Sequence, residues 1–262
     1  MDLEPLKRIG IAAAFKAGSV LRSHYGKITS ISKKGAIDLV TEADTSSEEI
    51  IIQTIRKAFP DHAILAEESG LSPGKAEHMW IVDPLDGTTN FAHGLDMFSI
   101  SIAYAFKQEI VVGIVLCPAT NEIFAAMKNK GADLNGRSLK VSSSKTVSES
   151  LLVTGFPYNF KEILNPLLNR FSNCLKASQG VRRLGSAAID LCYVACGRFD
   201  GFWEQKLKPW DTAAGELIAR EAGAVVTDFS NNPFTIDKTE ILATNGKIHT
   251  EMMGLLNLKD AV

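Results

Sequence analysis

The residues best suited to chemistry sit in "WIVDPLDGTTNF", residues 80 to 91, where Asp83 and Asp86 stand three apart and Gly87, Thr88 and Thr89 follow. Pro84 has no N–H and drives the residue before it towards extended backbone, so a strand is expected to end at Asp83 with the carboxylate beyond it. Gly87, Thr88 and Thr89 can then open a helical turn whose free N–H groups bind an anion such as phosphate. Two carboxylates and an exposed carbonyl beside such a cradle suit a hard divalent cation set against a phosphate oxygen. Oxygen-only ligands select Mg²⁺ or Mn²⁺ over zinc, and none of the five histidines sits in a zinc-like pair.

Two phosphate chemistries meet this pattern. In the haloacid dehalogenase pattern D-x-D-G-T, the first aspartate is phosphorylated and the second, two residues on, handles the proton. Here the spacing is three with a proline inside it, so the second carboxylate misses that position. The other chemistry activates water with two ions roughly 3.5–4 Å apart that clamp the entering and leaving oxygens, and it needs shared carboxylates. Further acids end strand-like runs elsewhere: Glu67 and Glu68 after "AILA", and Asp211 after Trp210. Singly each has a plain explanation, a solvated face for the glutamates, a turn for an Asp before Gly and a helix N-cap for Asp211.

Several elements must position these groups. Leu3, Leu6, Ile9, Ala13, Val20 and Leu21 recur at helical spacing before Gly26, which predicts a helix over residues 3–25. Thr45 with Glu48 three residues on reads as a capping box opening a second helix that Pro60 ends. The runs "FSISIAYAF", "EIVVGIVLC" and "EIFAAMK", with a tight turn at "NG" 135–136, predict antiparallel strands under these two helices. From about residue 147 strands and helices alternate, the rhythm of a mostly parallel sheet with crossover helices. The polar stretch "KVSSSKTVSES" marks the junction, so residues 1–146 are expected as an α+β lobe and residues 147–262 as an α/β lobe.

The composition, 45% hydrophobic and 22% charged with a net charge of -2, argues against nucleic acid or a membrane surface as main partner. The N-terminal stretch reads as neither signal peptide nor spanning segment, so a cytoplasmic protein is expected. Cys117, Cys174, Cys192 and Cys196 form no C-x-x-C pair and read as reduced, mostly buried thiols.

At these residues the sequence resembles the inositol monophosphatase family of Mg²⁺-dependent, lithium-sensitive sugar-phosphate phosphatases. "WIVDPLDGTTNFAHG" and "WDTAAGELIAREAGAVVTD" look like its two signatures. "DLVTEAD" at 38–44, "LAEES" at 65–69 and "RRLGSAAIDLCYVACGRFDGFWE" at 182–204 match in order, so the likeness spans nearly the whole chain. The resemblance implies a layered αβαβα sandwich, with an antiparallel sheet lobe and a mostly parallel one, and a homodimer. It implies two to three Mg²⁺ ions per site, with Mn²⁺ as a substitute. Glu67, Asp83 and the Leu85 carbonyl would bind the first, and Asp83, Asp86 and Asp211 the second. A third, weaker ion would also lean on Glu67. Thr88, with Asp44 behind it, would orient and deprotonate the attacking water, while the Gly87 and Thr88 amides hold the phosphate. Substrate hydroxyls would meet Asp86, the Gly185-Ser186-Ala187 backbone, Glu204 and Asp211. Lys33, beside Lys34, aligns with a lysine of the family's active-site loop.

The expected activity is hydrolysis of inositol 1-phosphate. Fructose 1,6-bisphosphate and histidinol phosphate are the alternative substrates, and some bacterial relatives act as partners of the transcription machinery. Ser186 replaces the threonine that many members carry. Lys206 and Lys208 lie where they either meet a second phosphate or face solvent, and the latter is the expectation. Arg182 and Arg183 belong either to a dimer interface or to a phosphate contact.

Overall fold

The computed structural model describes residues 1–27, 31–33, 39–157 and 160–258, the side chains of 31–33 and 39–41 excepted. Lys34 and the Lys33 side chain lie outside the described residues.

The chain opens with α1 (Glu4–His24), the short strands β1 (Ile31–Lys33) and β2 (Leu39–Thr41), and α2 (Glu42–Ala58). Strands β3 (His62–Ala66), β4 (Gly70–Ser72) and β5 (Lys75–Asp86) lead into a single helical turn, α3 (Thr88–Ala92). Next come β6 (Ser99–Phe106), β7 (Glu109–Cys117), β8 (Glu122–Met127), β9 (Ala132–Leu134) and β10 (Arg137–Ser138). The remainder alternates: β11 (Leu151–Thr154), α4 (Leu164–Ala177), β12 (Gly180–Arg182), α5 (Ala187–Ala195), β13 (Gly201–Gln205), α6 (Pro209–Glu221), β14 (Val225–Thr227), β15 (Glu240–Thr244) and α7 (His249–Leu256).

Eight strands form one sheet in the order β10-β9-β8-β7-β6-β5-β3-β4, antiparallel throughout except where β3 runs parallel to β5. Five strands form the second, in the order β12-β11-β13-β15-β14. Four of these point the same way, and β15 alone runs against its neighbours β13 and β14. Helices α1 and α2 cover the outer face of the first sheet, α5 and α6 fill the space between the sheets, and α4 and α7 pack together beyond the second. The layers are therefore αβαβα, each with its own apolar filling. Ile51 of α2 packs with Trp80 and Phe98 beneath the first two helices, Leu191, Phe202 and Leu217 fill the space between the sheets, and Met252 of α7 packs with Trp203 and Leu242.

Close approach in the first layer depends on small residues. A Cβ on Gly10 of α1 would stand 2.6 Å from Ile114 Cδ1, and one on Gly18 2.8 Å from Leu116 Cδ2, so both glycines let the helix rest on β7.

Three local expectations need correction. Helix α2 begins at Glu42, and Thr45 Oγ1 donates to the Glu42 carbonyl within it. The Thr45–Glu48 capping box does not form, because the Glu48 carboxylate accepts the Glu68 and Ser69 amides at 2.8 and 2.9 Å. Strand β5 does not stop at Pro84 but runs on to Asp86 through a bulge: Asp83 faces Ser101 and Asp86 faces Ser99, three residues against two. A proline is tolerated there because a bulge leaves one residue out of the ladder. Asp211 is the third residue of α6, not its N-cap, and its Oδ2 accepts the N–H of the true N-cap, Lys208, at 2.7 Å.

Candidate functional site

Parallel pairing of β3 with β5 brings the acids together. Ala66 lies opposite Val82, and the Glu67 amide donates to the Val82 carbonyl at 3.1 Å, which places Glu67 beside Asp83 where β3 ends and the β5 bulge begins. The β5 bulge then turns the next residues. Asp83 Oδ1 accepts the Leu85 amide at 2.9 Å, and the freed Pro84 carbonyl accepts Ser47 Oγ of α2 at 2.8 Å. Asp86 emerges facing the start of α5, where its Oδ2 accepts Ser186 Oγ at 2.6 Å and the Ala188 amide at 2.8 Å. An anion suits that helix end.

The turn after Asp86 uses two left-handed glycines. Gly87 has φ 91°, and a Cβ there would lie 2.8 Å from the Met97 carbonyl and 3.3 Å from that of Gly185, itself at φ 94°. Asn90 fastens the two loops, its Nδ2 donating to the Met97 and Leu184 carbonyls at 2.7 and 2.8 Å. The Gly185-Ser186-Ala187 segment is thereby held against Asp86 and Gly87. The Thr88 hydroxyl has one proton and two acceptors in reach, Asp44 Oδ1 at 3.1 Å and the Leu85 carbonyl at 3.0 Å. Asp44 is itself buried.

Asp211 and Glu204 come from the other half of the chain, on α6 and β13. Ser101 Oγ ties the start of α6 to β6 through the Trp210 carbonyl at 3.1 Å. The acids feel one another strongly. Burial pushes the Asp83 carboxyl well above the usual range, and the charges of Glu67, Asp86 and Asp211 push it further. Burial likewise raises Asp211, with Asp86 adding to it. Asp86 is lifted by burial to about 6, held down in part by hydrogen bonds from Ser186 and Ala188. Glu204 rises to about 8, again through burial first and the Asp211 charge second.

A cleft of about 870 Å³ opens over this set, lined by Glu67, Asp86, Gly87, Gly185, Ser186, Ala187, Glu204 and Asp211. Asp44, Asp83, Leu85 and Thr88 lie behind its wall, not among its lining residues. The sequence-predicted residues thus meet in one place. Among the described residues, however, no three Asp, Glu, His or Cys side chains are gathered as a ready metal-binding group. Asp83, Asp86 and Asp211 each spend an oxygen on a backbone amide instead. What the site offers is an all-oxygen donor set of four mutually repelling carboxylates. That is the chemistry of a hard divalent cation, whose charge would relieve the repulsion.

Lys206 and Lys208 both line the cleft mouth. The Lys206 ammonium pairs with Glu162 at 3.0 Å. Arg182 and Arg183 are both exposed, and Arg183 alone of the two lines the cleft. Residue-by-residue reading of the chain missed Ser47, Glu48, Asn90 and Gly155. Asn90 had a signal, an amide directly after the turn threonines. The others become visible only through tertiary contact.

Five alternating layers with this acidic cleft define the sugar-phosphatase type of layered α/β fold. The inositol monophosphatase family model matches residues 2–258, and the chain belongs to that family, whose members are generally metal-dependent and whose membership supports a phosphatase. It is 47% identical over 253 residues to the inositol-1-monophosphatase of Synechocystis sp., covering 96% of this chain and 88% of that protein. It is also 42% identical over 252 residues to Nus factor SuhB of Pseudomonas aeruginosa, covering 94% of this chain and 93% of that one. Among solved structures, the extragenic suppressor protein suhB of Bartonella henselae superposes with a TM-score of 0.92 at 39% identity, over 97% of this chain and 98% of that one. No helix among the described residues is long and apolar enough to cross a membrane.

Proposed function

We propose that this protein is a Mg²⁺-dependent phosphomonoesterase that hydrolyses inositol 1-phosphate to inositol and phosphate by metal-activated water. The observation that carries the reading is Asp83, buried beside Glu67, Asp86 and Asp211, carboxylates whose mutual repulsion a divalent cation would relieve. Glu67, Asp83 and the Leu85 carbonyl would hold one ion, Asp83, Asp86 and Asp211 a second, and Glu67 would contribute to a third. Mn²⁺ would substitute. Bound there, the cation supplies positive charge against the phosphate and lowers the pKa of water at the site.

The chain's own groups do the rest. Thr88 passes its hydroxyl proton towards Asp44 and so keeps a lone pair free to accept a proton from the attacking water. The Gly87 and Thr88 amides hold the phosphate. Asp86, Glu204, Asp211 and the Gly185-Ser186-Ala187 backbone meet the hydroxyls of the cyclitol. Residues 1–146 would form the lobe carrying most of the ligands, and residues 147–262 the lobe adding Asp211 and the substrate contacts. Uncatalysed monoester hydrolysis is so slow that enzymatic accelerations reach ~10²¹, which places most of the work in charge stabilisation and alignment.

Asp83→Asn tests the reading. With inositol 1-phosphate and Mg²⁺, kcat is expected to fall at least about a thousandfold, several kcal/mol of lost charge stabilisation. Full activity in that variant would make the metal assignment wrong. Comparing kcat/KM for inositol 1-phosphate, fructose 1,6-bisphosphate and histidinol phosphate ranks the substrates. Lys206, engaged by Glu162, argues against a second-phosphate site and so against the bisphosphate.

A second reading, a partner of the transcription machinery acting without hydrolysis, is favoured by the relatives named Nus factor SuhB. Rescue of a deletion strain by the Asp83→Asn protein would support that role, and rescue by wild type alone the enzyme. A cytoplasmic homodimer is the form we propose for either role.

A further inference from the structure

Gly155 stands one residue beyond β11, whose parallel register with β13 pairs Thr154 with Trp203 and carries Gly155 alongside Glu204. A Cβ on Gly155 would lie 2.1 Å from Glu204 Oε2 and 2.3 Å from both Cδ and Oε1. The Glu204 carboxyl therefore fills the space that a side chain at 155 would need. Backbone geometry does not account for the glycine, since Gly155 is not among the glycines with positive φ.

The surroundings give this contact a direction. Gly155 and Glu204 both line the large cleft, and both also border a small void behind them, shared with Arg170 and Gln205, of only about 10 Å³. That is no more than the space of a single water, too little to take a carboxyl group. Trp203 and Gln205 flank Glu204 within β13, which pairs with β11 and β15. Of these two spaces bordering Glu204, the cleft alone is large enough to receive a carboxyl displaced from Gly155.

We propose that Gly155 is a positioning residue: its missing side chain is the seat of the Glu204 carboxyl, and it sets how far that acceptor reaches towards the hydroxyls of a polyol phosphate. With glycine, the carboxyl rests against the β11 backbone and leaves the cleft open for a ring bearing several hydroxyl groups. With alanine, the carboxyl projects into that space. The inference rests on the reading of Glu204 as a hydroxyl contact.

Kinetics of Gly155→Ala in the full-length, magnesium-loaded protein test it, with inositol 1-phosphate and p-nitrophenyl phosphate, an ester without hydroxyl groups, as paired substrates. A misplaced acceptor costs about one hydrogen bond, so KM for inositol 1-phosphate is expected to rise by up to ~10-fold with kcat changing far less. The ratio of kcat/KM between the two substrates should fall by the same factor. In a Glu204→Ala background the glycine no longer has a carboxyl to seat, so adding Gly155→Ala should cost nothing further, and that pair also keeps the test available if the single variant folds poorly. A crystal structure of Gly155→Ala should show the carboxyl moved towards the cleft by about 1 Å, the step from 2.1 Å to the 3.0 Å below which such contacts essentially never occur. An unmoved carboxyl, an unchanged KM, or an equal loss in the Glu204→Ala background would overturn the proposal. A wild-type protein inert towards inositol 1-phosphate would sink the functional reading instead, and the carboxyl position in the variant crystal would still decide the role of Gly155.

Discussion

Glu204→Gln should make the protein more stable and a worse enzyme, and the stability gain should depend on pH. The Glu204 carboxyl rises from its ordinary 4.5 to about 8 on folding, mainly through burial. A raised carboxyl costs nothing below the unfolded value, and the cost grows as pH climbs from 4.5 and is complete above 8. At 1.36 kcal/mol per unit, this amounts to about 5 kcal/mol above pH 8 and about 3 kcal/mol at pH 7. Glutamine keeps the shape and removes the ionisation. Its buried amide carries a penalty of about 1–3 kcal/mol, but that penalty is the same at every pH. Thermal unfolding with chelator present, from pH 4 to pH 9, therefore separates the two contributions. For a chain this size each kcal/mol moves Tm by about 2–4 °C, so the variant should gain about 6–12 °C on wild type between pH 4 and pH 7. Magnesium should narrow the gap, because Asp211 supplies the second-largest part of the shift and would share its charge with the ion. A difference in Tm that stays flat across this range would refute the burial argument, whatever its sign.

Two further outcomes follow from residues behind the cleft. Glu48→Gln replaces one of two acceptors for the Glu68 and Ser69 amides with a donor facing a donor, which loosens the turn that carries Glu67. Supports of this kind are worth about 10–100-fold in metal affinity, so calorimetric titration should show Mg²⁺ binding weakened by that factor, and binding within twofold of wild type would dismiss the role. Asp190 is buried on α5 with no hydrogen bond to either carboxylate oxygen among the described residues, and burial drives its carboxyl well above 3.8. Asp190→Asn should leave stability near wild type at pH 4 and raise it by about 1–3 kcal/mol at neutral pH, read by urea unfolding, and equal midpoints at both pH values would contradict this.

Much of the candidate site is legible because Glu67, Asp83 and Asp86 lie at or near the ends of apolar strand-like runs. The apolar runs before Glu67 and Asp83 predicted strands, and parallel pairing of those strands then had to set the two side by side. The amphipathic spacing of α1 and the alternation after residue 147 likewise predicted the layers that the sheets adopt. Hidden features share a different cause: in each, a residue with a strong local preference answers to a contact distant in the chain. Glu48 reads as half of a capping box, yet two backbone amides in the β3–β4 turn draw its carboxylate away. Pro84 reads as a strand end, but Ser47 of α2 caps its carbonyl and the bulge absorbs the missing N–H. β15 follows β14 through a loop instead of a helix, so it alone runs against the second sheet.

Gly155 is the clearest case, since nothing in "LLVTGFP" announces what the glycine is for. Its left and right neighbours in sequence explain a strand end, and a glycine after a strand is ordinary punctuation. Only the pairing of β11 with β13, residues almost fifty positions apart, sets it against a buried carboxylate. The physical content of the position is therefore a missing volume, and its value depends on which side chain occupies the next strand. Motifs record groups that donate, accept or bind. Where function depends on a group being absent so that another can sit still, the information lies in strand register, and a linear reading has no term for it.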